Sequence, residues 1–218
     1  MELIGVDRSK IVSLFFVSNP EGQPIRSEMA FALTQKYGFA VAPSKIEELQ
    51  ADKVIFGQGS FQGVSIESLE VYSDGIIATA KSPSDKLDAF LEDLLSWSEA
   101  TFGMKRIETH KVNTVYESHI IVKADPSILS IMDGLNSLRI ELQKNLLNTS
   151  NITAQVEQFG YSFAVDQTAV AGLKPISFRL ERKQDASFTS NLFYSSAPLK
   201  TEDHLALLKK AETIGKKT

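Results

Sequence analysis

VSIESLEVYSDGIIATAKSPSDKLDAFLEDLLSWSEATFG, residues Val64 to Gly103, contains the change of period that decides the fold. Up to Tyr72 it reads as a strand, Asp74-Gly75 between two apolar segments is a hairpin signal, and Ile76 to Ala80 is the returning strand. Ser82 then stands where a helix cap belongs, Pro83 at the first helical position and Asp85 at capping-box spacing. Leu87, Phe90, Leu91, Leu94 and Leu95 recur at steps of three and four, Phe102 follows, and Gly103 is a stop. A hairpin followed by an amphipathic helix describes a sheet with a helix laid on it.

Outward from this stretch the same grammar repeats. A helix is expected from Ile25 to Tyr37, with Met29, Leu33 and Tyr37 four residues apart. Asp125-Pro126-Ser127 opens another, whose stripe of Ile128, Ile131, Met132, Leu135, Leu138, Leu142 and Leu146 is expected to lie on the core. Thr201 opens a third, carrying Leu205, Leu207, Leu208, Ala211 and Ile214 and ending at Gly215. Strands are expected at Ile11 to Val17, Lys53 to Phe56, Asn113 to Lys123, Ile152 to Asp166, Ile176 to Lys183 and Ser187 to Ser195.

In order the elements run β, α, β, β, β, α, and then the same again. The expected fold is therefore α+β, with antiparallel sheets, helices on one face, and a duplicated unit spanning 1–104 and 105–218. The competing reading is one continuous α+β domain. The element order resembles the helix-grip architecture, and its duplication resembles the arrangement of the TATA-box-binding protein family; both resemblances cover the whole chain without a motif behind them. Residues 1–104 carry 8 basic and 15 acidic side chains, while 105–218 carry 15 and 12. That asymmetry favours contact between halves or head-to-tail association of chains, although solvated surfaces also differ by chance.

Composition narrows the chemistry. The 218 residues are 43% hydrophobic and 23% charged, near the globular average, and contain no cysteine, which removes thiol nucleophiles, Cys-ligated zinc and iron–sulfur clusters. A net charge of −4 argues against gripping phosphates, so no nucleic-acid partner is expected. No stretch approaches the roughly 18 to 20 apolar residues of a membrane span, and the first ten residues lack a signal-peptide core. A cytoplasmic location without membrane association is the expectation, with the sequons at Asn148 and Asn151 read as a polar turn.

Phe56-Gly57-Gln58-Gly59-Ser60-Phe61-Gln62-Gly63-Val64, followed by Lys81, resembles the glycine-rich loop and strand lysine of protein kinases. The third glycine comes one residue late and no His-Arg-Asp or Asp-Phe-Gly follows, so a glycine-rich hairpin is expected instead. The histidines are His110, His119 and His204; Glu117 and His119 share a strand face, but no ligand spacing accompanies them. Neither a catalytic residue, a cofactor nor a metal is expected. One feature points to binding: Ser177, Arg179 and Glu181 oppose Phe178 and Leu180, and Thr189, Asn191, Phe193 and Ser195 oppose Leu192 and Tyr194. A wet sheet face bearing Arg179, Asn191 and Phe193 is the expected ligand or partner site. The function expected is protein interaction or assembly, including self-association, and the alternative is a small-molecule binder or cryptic enzyme using that face or a sheet–helix cavity.

Overall fold

The computed structural model describes residues 1–15, 17–18, 27–106, 113–153 and 155–217. The chain enters a long strand, β1 (Glu2–Leu14), then a two-residue strand, β2 (Val17–Ser18). Helix α1 (Ser27–Tyr37) and the single turn α2 (Ile46–Leu49) precede three strands, β3 (Lys53–Phe61), β4 (Val64–Tyr72) and β5 (Gly75–Ala80), and helix α3 (Ser84–Phe102). A short β6 (Lys105–Arg106) pairs with β2. After β7 (Asn113–Lys123) comes a 3-10 helix, Pro126–Leu135, which runs into α4 (Asn136–Ser150). The chain closes with β8 (Gly160–Phe163), β9 (Phe178–Arg182), a 3-10 turn at Phe188–Ser190, β10 (Leu192–Ala197) and α5 (Thr201–Gly215).

Eight strands form one antiparallel sheet in the order β3-β4-β5-β1-β7-β10-β9-β8, so the fold is α+β. Period-2 alternation, reset in β4 by a bulge between Ile66 and Ser68, sends Ile11 of β1, Ile66 and Leu69 of β4, and Ala78 and Ala80 of β5 to one face, where Leu87, Phe90, Leu91 and Leu94 of α3 bury them. On the other side of the β1–β7 pair, Ile120, Val122, Leu180 and Phe193 meet Leu208 of α5 and Ile128 and Leu129 of the 3-10 helix. Met29, Ala30, Leu33 and Tyr37 of α1 complete the first cluster. Among the described residues the opposite sheet face carries no helix.

Four expectations change. The stripe after Asp125 does not lie on the core: its first ten residues wind as a 3-10 helix in which Ile128 and Leu129 are buried, and α4 buries none of its side chains. The tighter 3-10 winding rotates the stripe off the phase that an α-helix from Pro126 would keep. Expected strand Ile152 to Asp166 shrinks to Gly160–Phe163, and the one from Ser187 starts at Leu192 because the 3-10 turn precedes it. Ser82 does not cap α3; its hydroxyl is buried without a bond, and the amide of Ser84 is capped from elsewhere in the fold. Of the helix expected from Ile25, residues 25 and 26 lie outside the described residues, as does Phe16 of the strand expected at Ile11 to Val17.

The glycine-rich string is accounted for by packing. Gln62 and Gly63 take left-handed φ of 48° and 79°, the geometry of a tight hairpin between β3 and β4. Residues 39–41 fold back along β3, with the Val41 and Gly57 amides exchanging bonds of 3.1 and 2.8 Å, and the buried Phe39 ring lies directly over Gly59. Any Cβ on Gly59 would fall on that ring. Gly59→Ala is therefore expected to destabilise by about 1–3 kcal/mol through overpacking; an unchanged denaturation midpoint would show that the ring does not sit there.

Candidate functional site

Two polar clusters of the described residues lie on the sheet, one sealed and one open. The sealed one lies where the N-termini of α3 and α5 meet over the middle of the sheet. Ser84 N–H donates to Thr201 Oγ1 at 3.0 Å, and Thr201 N–H donates to Ser84 Oγ at 2.9 Å, so each helix supplies the cap that the other needs. Ser9 and Ser118, paired across β1 and β7, place their hydroxyls 3.4 Å from Thr201 Oγ1. His204, one turn into α5, continues the chain of bonds to β10. Ser195 donates to the Arg179 carbonyl at 2.6 Å, which makes the 2.8 Å contact a donation from His204 Nε2–H to Ser195 Oγ. His204 Nδ1 then accepts from Ser118 Oγ at 3.2 Å.

Burial holds the His204 imidazole neutral and lowers its pKa to about 4, with the charge of His119 as a smaller cause. Ser195 and His204 make a hydroxyl–imidazole pair, but both are 0% exposed, so no substrate reaches them. Their work is structural: they let two helix ends and three strands share one satisfied polar seam.

The open place is the sheet face without helices. Cross-strand register aligns Arg8 with His119, His119 with Ser196, Ser196 with Arg179, and Arg179 with Ser162. These five side chains form one row over β1, β7, β10, β9 and β8. Beside the row, Tyr194 OH lies 2.6 Å from His119 Nδ1, and Lys10 Nζ donates to Glu117 Oε1 at 3.0 Å. Glu117 Oε2 is 3.8 Å from His119 Nε2, which is buried without a hydrogen bond. The His119 ring beside it and the Lys10 bond together hold the Glu117 carboxyl down to about 2, against the opposing effect of burial. Burial, and then Asp7, raises the Tyr194 phenol, which stays protonated and hydrogen-bonding near neutral pH.

The structure separates the three residues expected to share a site. Arg179 is on the open face, 57% exposed, with Nη1 3.9 Å from Glu181 Oε2. Asn191 sits off the strand as the left-handed residue that ends the 3-10 turn, φ 55°. Phe193 is 0% exposed on the helix side, opposite Val122 and Arg182, whose guanidinium lies 5.6 Å from its ring. The expected face was therefore reversed in β10: Tyr194 and Ser196, not Phe193 and Ser195, stand beside Arg179. Ser195 turns inward because it has a buried partner, His204, an arrangement that polarity alone does not announce. Arg8 was also missed as a neighbour, since it lies far away in sequence and register alone joins it to the row. His110 lies outside the described residues. No group of three or more metal-ligating side chains is present among the described residues.

A third feature is apolar. Helix α4 leaves Leu138 67% and Leu142 50% exposed, with Leu135 before them and Ile140 and Leu147 on the opposite side also exposed. A strap of chain holds it along another edge, where Arg139 Nη1 donates to the Val156 carbonyl at 2.9 Å and Gln143 accepts from the Val156 amide.

Fold and surfaces define an α+β protein with an eight-stranded antiparallel sheet, one face under helices and the other without a helix among the described residues. No protein-family model matches the chain, and no curated protein is a match. Among solved structures it is similar to Methanococcus jannaschii TBP, at 14% sequence identity and a TM-score of 0.43, with 98% of each chain covered. No helix among the described residues is long and apolar enough to cross a membrane.

Proposed function

We propose that the chain works by protein interaction, and that α4 is the element its partner holds. The observation that carries this reading is a 15-residue helix with no buried side chain, whose exposed Leu138 and Leu142 continue from exposed Leu135 just before it. Steps of three and four are the spacing with which one helix fills an apolar groove, and a free helix of this length is marginal in water without packing. The segment 126–150 balances Arg139 and Lys144 against Asp133 and Glu141. A segment of zero net charge with an apolar stripe matches a groove lined by apolar side chains on a different protein.

The same reading takes residues 1–104 and 105–218 as two copies of one plan. In support, the sheet runs outward from the β1–β7 pair through β5, β4 and β3 on one side and β10, β9 and β8 on the other. The first helix of each copy then behaves differently: α1 buries Met29, Ala30, Leu33 and Tyr37, while α4 buries nothing. A second copy relieved of covering its own sheet has a helix to offer. The free sheet face supports protein over nucleic acid, because Lys10 and Lys53 are matched, by Glu117 and Glu70, each at 3.0 Å, and Asp7 and Glu181 flank its arginines.

The test places a photo-crosslinking residue at Leu138 of the full chain in cells, with the same residue at Glu92 of α3 as control. A distinct protein joined at 138 and not at 92 is expected, and the purified pair should bind. Burying one leucine contributes about 1.5–3 kcal/mol, so Leu138→Glu with Leu142→Glu is expected to weaken that binding at least about 100-fold while leaving the thermal midpoint of the free chain unchanged. An adduct of the chain with itself, no adduct above the control, or a collapsed midpoint in the double variant each overturns the proposal.

A further inference from the structure

We propose that the free sheet face carries an oxyanion site between Arg8 and Arg179, with Ser196 at its centre, which takes the carboxylate or phosphate of a small molecule. Residues in cross-strand register project to the same face, and the register runs from Arg8 through His119 and Ser196 to Arg179. Neighbouring strands are about 4.8 Å apart, so the two arginine Cα atoms stand about 14 Å apart, a gap that two guanidinium arms span. Guanidinium is the group whose planar fork matches an oxyanion in two bonds at once.

Three observations show donors that the protein leaves unused. No carboxylate lies within ion-pair distance of Arg8 among the described residues, and the one near Arg179 is at 3.9 Å, too far for a hydrogen bond. Ser196 is 9% exposed, and its hydroxyl has no hydrogen-bond partner among the described residues. The floor beside it is rigid, because Tyr194 is tied to His119 and Glu117 to Lys10. The hydroxyl of a nearly buried serine, between the unpaired Arg8 guanidinium and an Arg179 guanidinium held by a 3.9 Å ion pair alone, is the place for a ligand oxygen.

The neighbourhood also sets the size of the ligand. Asp7, the extra residue of a bulge in β1, and Glu181 flank the row. Their charges oppose a broad polyanion while leaving the directed bonds of Arg8, Ser196 and Arg179 for a single oxyanion. The site is separate from α4 and does not depend on the protein partner proposed for it.

The experiment titrates the full chain, isotopically labelled for amide spectra, with inorganic phosphate in one arm and acetate in the other, against chloride at constant ionic strength. Saturable shifts are expected at the amides around Arg8, Ser196 and Arg179 in at least one arm, and the arm that saturates more tightly identifies the ligand class. Arg8→Gln and Arg179→Gln are each expected to weaken binding about tenfold or more, the effect of losing one charged hydrogen-bonding partner, with thermal midpoints unchanged in the absence of ligand. Shifts that never saturate in either arm overturn the proposal, as does saturation that both arginine variants retain. So does tight, arginine-dependent binding of a short duplex DNA by a chain that ignores both small anions.

Discussion

Replacing His204 with alanine is expected to destabilise the protein by about 3–5 kcal/mol, from a core cavity together with a stranded buried hydroxyl. The side chain is fully buried, and both ring nitrogens are bonded, Nε2 to Ser195 and Nδ1 to Ser118. Ser195 keeps the Arg179 carbonyl when the ring is gone, whereas Ser118 is left with its long contact to Thr201. The same residue gives stability a defined pH profile. In the fold its pKa is lowered to about 4, while in the unfolded chain it returns to 6.5. Above 6.5 both states hold the ring neutral and stability is flat. Between 6.5 and 4 the unfolded state takes up the proton first, so stability falls with pH, by an amount on the order of 3 kcal/mol. Below 4 both states are charged and this loss stops growing. Glu117, lowered from 4.5 to about 2, adds the loss of a carboxylate's stabilisation as pH falls from 4.5 towards 2. Urea denaturation at a series of pH values checks both windows, and His204→Gln should flatten the upper one while leaving the lower. A wild-type profile flat from pH 7 to 4.5 would mean that His204 is not buried neutral.

What the sequence made legible, and what it hid, follows from the range over which each signal acts. The hairpin from Val64 to Ala80 and the helix ending at Gly103 were readable because turn, period and stop are all local. Left-handed Gly103, whose amide bonds to the Glu99 carbonyl, is the cap that its position promised. The start of the same helix was misread, since its cap comes from Thr201, more than a hundred residues on. The facing of β10 was misread for a related reason. Pattern reading assigns polar residues to water, and Ser195 is a polar residue whose partners, His204 and the Arg179 carbonyl, are assembled by the fold. The apolar stripe after Asp125 was visible, but its destination was not: periodicity says that a stripe wants covering, and cannot say whether the cover belongs to the same chain. Arg8 and Arg179 share one row through a register running across four strands, which no window along the sequence contains.

Gly215→Ala is the substitution for which the usual rule should fail most clearly. Within a helix this change ordinarily stabilises by about 1 kcal/mol, yet here it is expected to destabilise by about 3 kcal/mol or more, at the upper end of what overpacking costs. The last turn of α5 crosses the start of the 3-10 helix so closely that a Cβ would overlap the Ser127 carbonyl oxygen and lie 2.7 Å from its carbon. The obstacle is backbone and has no rotamer to escape into. The two segments are also clamped: the Asp125 amide donates to Glu212 Oε1 at 2.8 Å, and Glu212 Oε2 accepts from the Met1 ammonium at 3.2 Å. The helices must part, or Ser127 and Ile128 must shift, and Ile128 is a fully buried member of the second core cluster. Gly134 supplies the control, since nothing lies within 4 Å of a Cβ built there, and Gly134→Ala should leave the midpoint level or raise it. Because α4 projects from this same 3-10 helix, Gly215→Ala should also speed amide exchange from Ile128 into α4 while α3 keeps its protection. Equal midpoints for the two alanine variants would show that α5 and the 3-10 helix do not meet at Gly215.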